Sequence, residues 1–325
     1  MKERILSALK SKDDFVSGQE LCDELGVSRT AIWKVINQLK SEGYEIESVR
    51  NRGYRLMESP DIITAAEIAG HMDTEWFGRK ILYFDVTDST NNEIKRHSES
   101  EKEGLLAIAE QQTAGKGRRG RAWESPSGTG IWMSFLLKPD ITPTQASMIT
   151  IVTALATAMA VREVTGLDAL IKWPNDIVVN AKKTVGILTE MSTEIDYINY
   201  VVVGIGINAN TDSFPEDIRD TATSFKIECG HPVKRSLIVA AFGKYFEKYY
   251  EDFLKAGNLS LLRKDYDALL VNRDRQVKIL DGASEPVMTA LGINDEGELV
   301  VKDSDGSIST VRAGEVSVRG IYGYV

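Results

Sequence analysis

Residues 115–121 read Gly-Lys-Gly-Arg-Arg-Gly-Arg, and this loop decides whether the sequence is compatible with a Rossmann fold. It follows a short apolar segment, residues 105–109, that is typical of a strand. The glycines are spaced as in a dinucleotide-binding motif, which needs a helix directly after them, but Trp123, Pro126 and Gly128 follow instead. The sequence therefore predicts no Rossmann fold. Its four cations predict a loop that wraps around an anion, with a merely solvated basic loop or a nucleic-acid patch as alternatives.

A second polar motif, Lys-Trp-Pro-Asn-Asp, occupies residues 172–176 and precedes a hairpin pattern over residues 177–188. Lys183 lies where this hairpin begins its return. A lysine in a partly closed site can stabilise a transferring phosphate or a carboxylate–phosphate anhydride. Asn175 and Asp176 offer an amide and an anion for fixing a base or a metal. The alternative is an ordinary hairpin with surface lysines.

Three apolar segments surround these motifs. Residues 201–208 read Val-Val-Val-Gly-Ile-Gly-Ile-Asn, a buried strand whose glycines permit close backbone approach and whose last residue is polar. The alternative for this strand is a purely structural role. Residues 146–161 are too short to span a bilayer and predict a buried helix. Residues 234–256 predict a helix with one stripe packed in the core.

The first sixty residues predict two short helices. Ser17 and Glu20 have the spacing of a capping box, and Gly26 can end that helix in a left-handed conformation. Ser28 can cap a second helix that continues until Gly43. Two helices joined by a tight turn, the second with a basic outer face, predict a helix-turn-helix.

Residues 44–56 alternate and turn like a hairpin, which completes a winged helix. Between residues 28 and 57 there are six basic and three acidic residues, although the whole chain carries a net charge of −9. Such asymmetry favours one DNA-facing end, with a small helical protein-docking domain as the alternative. The predicted DNA-binding residues are Ser28, Arg29, Thr30, Trp33, Lys34, Asn37, Arg50 and Arg52.

Length and composition indicate a multidomain globular protein. The chain has 325 residues, is 42% hydrophobic and contains two cysteines. Cys22 and Cys229 lack the spacing of a zinc site or a disulfide framework, and the charged N-terminus lacks the pattern of an export signal. We expect a cytoplasmic protein with no membrane partner and no metal site made of protein ligands alone.

The motifs together resemble the biotin-protein ligases. The resemblance rests on residues 115–123, residues 172–176, Lys183 with Gly186, and residues 204–208. With the winged helix added, the whole chain is similar to the bacterial biotin-protein ligases that also repress a biotin operon. This resemblance implies an α+β fold with a winged helix-turn-helix at residues 1–60, a mixed-sheet catalytic domain related to class II synthetases at 61–270, and an SH3-like β-barrel at 271–325.

The C-terminal segment suits the implied barrel, because it contains short strand patterns separated by turn residues. These strands are predicted at residues 276–280, 287–293, 299–302 and 307–311, with the first turn at Asp281 and Gly282.

The resemblance also implies a reaction in two steps. Biotin and ATP, accompanied by Mg²⁺, give biotinyl-5′-adenylate and pyrophosphate, and a lysine of the biotin carboxyl carrier protein of a carboxylase then takes the biotinyl group. The implied partners are this carrier protein, operator DNA and a second copy of the chain. The chain is expected to dimerise when biotinyl-5′-adenylate is bound, and the adenylate is the implied corepressor.

Site residues are carried over from the family onto matching positions. Lys183 and Arg118 are the implied catalytic residues. The implied biotin site consists of Ser89, Thr90, Asn91, Gln112, Gly115, Lys116, Gly117, Arg118, Lys183, Gly186, Gly204 and Gly206. The implied ATP and adenylate site consists of Arg119, Arg121, Trp123, Asn175, Asp176 and Asn208. Lys116 stands where some members have arginine, so a point charge replaces a forked donor.

Three other interpretations remain open from the sequence. The chain could be a transcription factor that senses a small molecule without turning it over. It could transfer lipoate or another acyl group on the same fold, because the residues alone indicate only carboxylate adenylation. It could also be a ligase whose N-terminal domain is inert.

Overall fold

The computed structural model describes residues 1–12, 14–194, 197–280, 286–313, 317–320 and 324–325. The chain has a helical N-terminal part with a two-stranded wing, a central mixed sheet and a C-terminal antiparallel sheet. The predicted α+β class with these three parts is confirmed. The exact division at residues 60 and 270 stays a prediction, and the predicted turn at 281–282 lies outside the described residues.

The N-terminal part has the predicted caps. The Ser17 hydroxyl accepts a hydrogen bond from the Glu20 N–H at 3.0 Å, and Gly26 is left-handed with φ of 66°. The Ser28 hydroxyl accepts from the Ala31 N–H at 3.3 Å. The elements are α1 (Lys2–Lys10), α2 (Gly18–Leu25), α3 (Arg29–Ser41), β1 (Glu45–Val49) and β2 (Gly53–Glu58).

This part has a core of its own. Ile5 and Leu6 of α1, Leu21 of α2, and Ile36 and Leu39 of α3 are almost fully buried in one cluster. The apolar face of each helix therefore faces inward, and the polar face of α3 is left for solvent or a partner.

The central part is one mixed sheet whose described strands follow the order β3-β4-β5-β9-β8-β7-β6. β3 pairs with β4 in parallel, and the other neighbours are antiparallel. Its elements are α4 (Ala65–Ala69), β3 (Ile81–Thr87), α5 (Thr90–His97), β4 (Leu106–Gln112), β5 (Ile131–Leu137), α6 (Ala146–Thr165), β6 (Leu170–Lys172), β7 (Asp176–Val179), β8 (Lys182–Thr193), β9 (Ile198–Ile207), α7 (Phe225–Cys229), α8 (Arg235–Ala256) and α9 (Arg263–Leu269).

The long helices α6 and α8 pack together in the main core. Within the described residues, one helical segment, Pro143–Thr165, is long and apolar enough to cross a membrane, and most of it is buried inside the protein. The buried helix predicted at residues 146–161 is therefore confirmed. On α8, the predicted core stripe is Ile238, Phe242, Tyr245 and Tyr249. Ile238 and Phe242 are fully buried, Tyr249 is nearly so, and Tyr245 is partly buried against the same core.

The C-terminal strands are β10 (Arg275–Leu280), β11 (Val287–Ile293), β12 (Leu299–Lys302), β13 (Ile308–Val311) and β14 (Ser317–Gly320). The first four agree with the predicted strands to within one residue at each end, whereas β14 was not predicted. Trp173 joins this sheet to the central part, because its indole N–H donates to the Gly297 carbonyl at 3.0 Å. The two parts share one hydrophobic core.

Candidate active site

A cleft of about 580 Å³ lies over β8 and β9, between the loop of residues 115–121 and the Asn175–Asp176 turn. It brings together residues from every predicted ligand motif. The predicted residues that line it are Ser89, Thr90, Asn91, Gln112, Lys116, Gly117, Arg118, Arg119, Arg121, Trp123, Asn175, Asp176, Lys183, Gly186, Gly204, Gly206 and Asn208. Gly115 is outside this lining, at the base of the loop.

Two cations contact the Asn175–Asp176 turn: Arg118, which precedes it in the chain, and Lys183, which follows it. Arg118 donates from Nη1 to the Asn175 amide oxygen at 2.6 Å, and Lys183 Nζ lies 2.6 Å from an Asp176 carboxylate oxygen. We call Arg118 and Lys183 the cation pair. Burial lowers the pKa of the Arg118 guanidinium, and the Asp176 charge opposes this effect. An anion that enters the cleft would exchange these internal partners for its own oxygens.

The basic loop is a closed, narrow turn. The Gly117 N–H donates to the Arg121 carbonyl at 2.7 Å, and the Trp123 N–H donates to the Gly115 carbonyl at 2.9 Å. A Cβ atom at Gly115 would lie 2.3 Å from the Trp123 carbonyl oxygen, so this close approach requires glycine. Gly115 therefore serves loop closure. Within the described residues no α-helix directly follows the loop, in agreement with the predicted absence of a Rossmann fold.

Trp123 lies flat on a glycine floor. A Cβ atom at Gly186 or Gly206 would come within 2.7 Å or 2.5 Å of the indole, and these two glycines are paired across β8 and β9. Lys183 Nζ lies 5.2 Å from the centre of the ring, within range of a cation–π contact. The indole N–H is buried without a hydrogen-bond partner among the described residues. Such an orphan donor costs free energy unless a ligand satisfies it.

A polar pocket opens at the start of α5. Gln112 at the end of β4 accepts from the Thr90 N–H at 2.8 Å and donates to the Ser125 hydroxyl at 2.8 Å. Ser89, Thr90 and Asn91 are each less than 5% exposed. Gly204 lies under the Asn91 amide, and a Cβ atom there would be 2.2 Å from Asn91 Oδ1.

The turn before this pocket is held by charge. Arg96 grips the Asp88 carboxylate with two hydrogen bonds of 2.9 Å and 2.8 Å, and Asn92 donates to it at 2.7 Å. These hydrogen bonds, the one from Arg96 above all, hold the pKa of Asp88 far below its ordinary value. Asn92 also accepts from Lys116 Nζ at 3.0 Å, which links this turn to the basic loop.

Several residues of the site were not predicted. Lys172 is 6% exposed, and its Nζ lies 3.4 Å from the centre of the Tyr324 ring. The Tyr324 hydroxyl donates to Asp176, so the C-terminal end of the chain closes one side of the cleft. Lys172 begins the motif used to find the turn and could have been assigned a role, whereas no local pattern pointed to Tyr324.

The predicted DNA-binding residues are all exposed. All six on α3 and its N-cap are exposed, and Trp33 is 57% exposed despite its size. At the wing, Arg50 is exposed, while Arg52 also stacks over the Phe15 ring at 4.3 Å. We call these eight residues the basic N-terminal surface.

Within the described ranges, no group of three or more His, Cys, Asp or Glu side chains could hold a metal ion. Asp176 nevertheless fits Mg²⁺ that arrives with a nucleotide, because this ion is commonly bound through one or two carboxylates together with substrate phosphates.

The comparison with known families separates the chain into matching segments. Residues 83–208 match the Biotin/lipoate A/B protein ligase family, residues 2–55 match the HTH domain, and residues 274–319 match the Biotin protein ligase C terminal domain. Fold and cleft together therefore define a biotin/lipoate-type protein ligase that carries a helix-turn-helix domain.

Individual relatives give a narrower result. The chain is 40% identical to the "Bifunctional ligase/repressor BirA" of Bacillus subtilis, covering 90% of this chain and 91% of the relative. It is 31% identical to the Escherichia coli protein of the same name, covering 97% and 96%. The Aquifex aeolicus biotin protein ligase in complex with biotin and ATP superimposes with a TM-score of 0.65 at 28% identity, covering 74% of this chain and 99% of that one. The chain belongs to the family of bifunctional biotin-protein ligases and repressors.

Proposed function

We propose that this protein activates biotin with ATP, transfers it to a lysine of a biotin carboxyl carrier protein and represses transcription when the activated biotin remains bound. In the first step a biotin carboxylate oxygen attacks the α-phosphorus of ATP, and the bond to pyrophosphate breaks. In the second step the lysine amine attacks the carbonyl carbon of the mixed anhydride. AMP leaves, and the new amide nitrogen loses a proton to solvent.

The observation that carries this proposal is the cation pair in a cleft that also holds a polar pocket. Joining a carboxylate to a triphosphate brings two anions together, and fixed cations offset their repulsion. Lys183 lies between the Asp176 turn and the glycine floor, where it can bridge the carboxylate and the α-phosphate. Arg118 approaches from the loop side. A sensor that only binds its ligand would need no such pair at the junction of two anions.

The remaining residues divide between the two substrates. The pocket of Ser89, Thr90 and Gln112 receives the ring end of biotin. Trp123 stacks on adenine, while Asn175 and Asn208 hold the nucleotide. Arg119 and Arg121 reach its phosphates from the loop. Asp176 would help hold Mg²⁺, which neutralises phosphate charge when bound.

Repression uses the other end of the molecule. The basic N-terminal surface places α3 in the major groove of operator DNA and the wing tip on the adjacent backbone. We propose that biotinyl-5′-adenylate, by ordering the loop of residues 115–121, favours a homodimer that matches a palindromic operator. The proposal includes a cytoplasmic location without a membrane partner, which two free cysteines support. Operator affinity that does not respond to biotin and ATP together would contradict this regulation.

The reaction is tested by biotin-dependent exchange of labelled pyrophosphate into ATP. We expect exchange with biotin, none with lipoate, and a loss of about 10²- to 10³-fold in Lys183→Ala. The matched control is Lys182→Ala, because the adjacent lysine donates to the Arg219 carbonyl at 3.2 Å and lies outside the cleft lining. Exchange with neither acid would favour the sensor, and exchange with lipoate alone would favour the lipoate ligase.

A further inference from the structure

A continuous chain of side-chain hydrogen bonds runs from the polar pocket to Glu190 on β8. Thr90 Oγ1 lies 2.6 Å from the Ser134 hydroxyl, which donates to Asn91 Oδ1 at 2.5 Å. The Asn91 amide nitrogen donates to Glu190 Oε2 at 2.7 Å. Lys95 Nζ lies 2.7 Å from the other carboxylate oxygen of Glu190 and holds it in place. Ser134 and Glu190 do not belong to the cleft lining, whereas Thr90 and Asn91 do.

The carboxylate at the end of this chain fixes the direction of every hydrogen bond in it. An ionised carboxylate only accepts, so Asn91 must turn its NH₂ group toward Glu190 and its oxygen toward Ser134. Ser134 has a single proton and must give it to Asn91. The Ser134 oxygen can therefore only accept from Thr90.

Glu190 is ionised at neutral pH. Burial by itself would raise the pKa of Glu190, but the hydrogen bonds from Lys95 and Asn91 outweigh burial and lower it.

The proton of Thr90 is thereby committed to the protein. Its two possible acceptors are Ser134 at 2.6 Å and Gln112 Oε1 at 3.1 Å, and both are protein groups. Gln112 is oriented independently, because the Ser125 hydroxyl donates to the Trp123 carbonyl at 3.1 Å and so accepts from the Gln112 NH₂ group. What the Thr90 oxygen offers to a ligand is a lone pair.

We propose that Glu190 is a positioning residue that fixes the Thr90 hydroxyl as a hydrogen-bond acceptor, so that the pocket selects a ligand with an N–H donor at this point. The inference rests on the proposed function. The cyclic urea of biotin has two N–H groups, whereas the dithiolane ring of lipoate has none. Glu190, which does not line the cleft, would thus contribute to the choice between these two acids.

The substitution Glu190→Gln removes the constraint with little change in shape. A glutamine amide can donate as well as accept, so Asn91 can turn over and the hydroxyls of Ser134 and Thr90 can reverse. With Ser134 donating to it, Thr90 could then donate to an acceptor ligand, whereas with an N–H ligand its proton can go to Gln112 Oε1. The pocket should therefore still bind biotin but distinguish less well between donor and acceptor ligands.

The test measures Kd by calorimetry without ATP for biotin and for two isosteric carbamates, each with one urea N–H replaced by oxygen. In the wild type we expect one carbamate to bind at least about 30-fold more weakly than biotin, because two acceptors then face each other. In Glu190→Gln this ratio of the carbamate Kd to the biotin Kd should fall to about threefold or less.

Glu194→Gln is the matched control, because Glu194 directly follows β8 and is exposed. This variant should keep the wild-type ratio. Ser134→Ala removes the acceptor that holds the Thr90 proton, so it should also lower the ratio, and it keeps the test decisive if Glu190→Gln does not fold.

A ratio that survives in a folded Glu190→Gln or Ser134→Ala protein would overturn the proposal, as would equal binding of biotin and both carbamates by the wild type. A wild type that neither binds biotin nor exchanges pyrophosphate would instead overturn the proposed function. The two failures are therefore distinguishable.

Discussion

The two basic regions of this protein present their charges in opposite ways. On the basic N-terminal surface the cations are exposed, and Arg29 donates to the Gln19 side chain at 2.9 Å. In the cleft, Arg118 and Lys183 are at least partly buried and already engaged with Asn175 and Asp176. The first arrangement suits a long polyanion that covers it from outside. The second suits a small anion that must enter and replace internal partners.

The sharpest test of this contrast is the response to salt. DNA binding through several phosphate contacts releases counterions, so operator affinity should fall by about 10³-fold between 50 and 200 mM salt. Biotin affinity should change by less than about threefold, because charges inside a cleft are screened much less. Fluorescence anisotropy with operator DNA and calorimetry with biotin would measure the two slopes. Equal slopes would remove the distinction.

Removing a cleft cation should have the next largest effect. Arg118→Ala is expected to reduce pyrophosphate exchange by about 10²-fold or more, because a fixed charge at the reacting anions is lost. Nonspecific DNA affinity should remain unchanged. Arg79→Ala is the control, since Arg79 is an exposed arginine that donates to the Glu75 carbonyl at 3.1 Å.

A third prediction concerns the contact between the N-terminal part and α4 of the central part. Glu67 on α4 is 1% exposed, contacts Lys10 of α1 at 2.6 Å and His71 at 3.2 Å, and accepts from the Tyr44 hydroxyl at 2.5 Å. Glu67→Gln should lower the free energy of unfolding by about 2 kcal/mol, because a charged acceptor is lost opposite a buried lysine. Chemical denaturation at neutral pH would measure this difference.

The pH dependence of that difference follows from Glu67. Burial raises the pKa of Glu67, but the hydrogen bonds from His71, Lys10 and Tyr44 together lower it by more than burial raises it. The net shift of the pKa is therefore downward. A lowered folded-state pKa means that the stabilisation is complete above the ordinary glutamate value of about 4.3. It is lost as the pH falls through the folded-state value. Wild type and Glu67→Gln should therefore converge in stability in acid, and a difference that grew there would contradict this assignment.

The smallest expected change is on the DNA side. Lys34→Ala should weaken operator binding by about tenfold and reduce the salt slope by about one. Pyrophosphate exchange should stay at the wild-type rate. This variant is therefore the converse of Arg118→Ala, which should lower exchange and leave DNA affinity unchanged. Lys264→Ala, on α9, serves as a charge-matched control far along the chain.

Local signals accounted for the elements that the sequence predicted. The caps at Ser17 and Ser28 depend on residues three positions away, and the C-terminal strands alternate within themselves. The family motifs likewise brought most predicted ligand residues to one cleft, although their individual roles stay predictions.

The residues that the sequence did not reveal act through distant partners. Glu190 contacts an amide 99 positions earlier, and Tyr324 contacts Asp176 across 148 positions. Nothing in the neighbourhood of either residue distinguishes it from an ordinary strand glutamate or terminal tyrosine. Such contacts follow from sheet order and domain docking, which periodicity and spacing do not encode.

Arg235 limits where the chain could be cut to separate the ligase part from the N-terminal part. Its side chain is 2% exposed. Asp61 accepts hydrogen bonds from the backbone N–H, Nε and Nη2 of Arg235, each at 2.9 Å. Nη1 donates to the Glu110 carboxylate and to the Gly130 carbonyl. A truncated ligase that starts at α4 would lack Asp61 and keep a guanidinium buried beside half of its partners. A fragment that begins before Ser59, whose carbonyl accepts from Lys234 Nζ, would retain Asp61. A ligase separated from its repressor half should therefore keep this short connecting segment if it is to remain stable on its own.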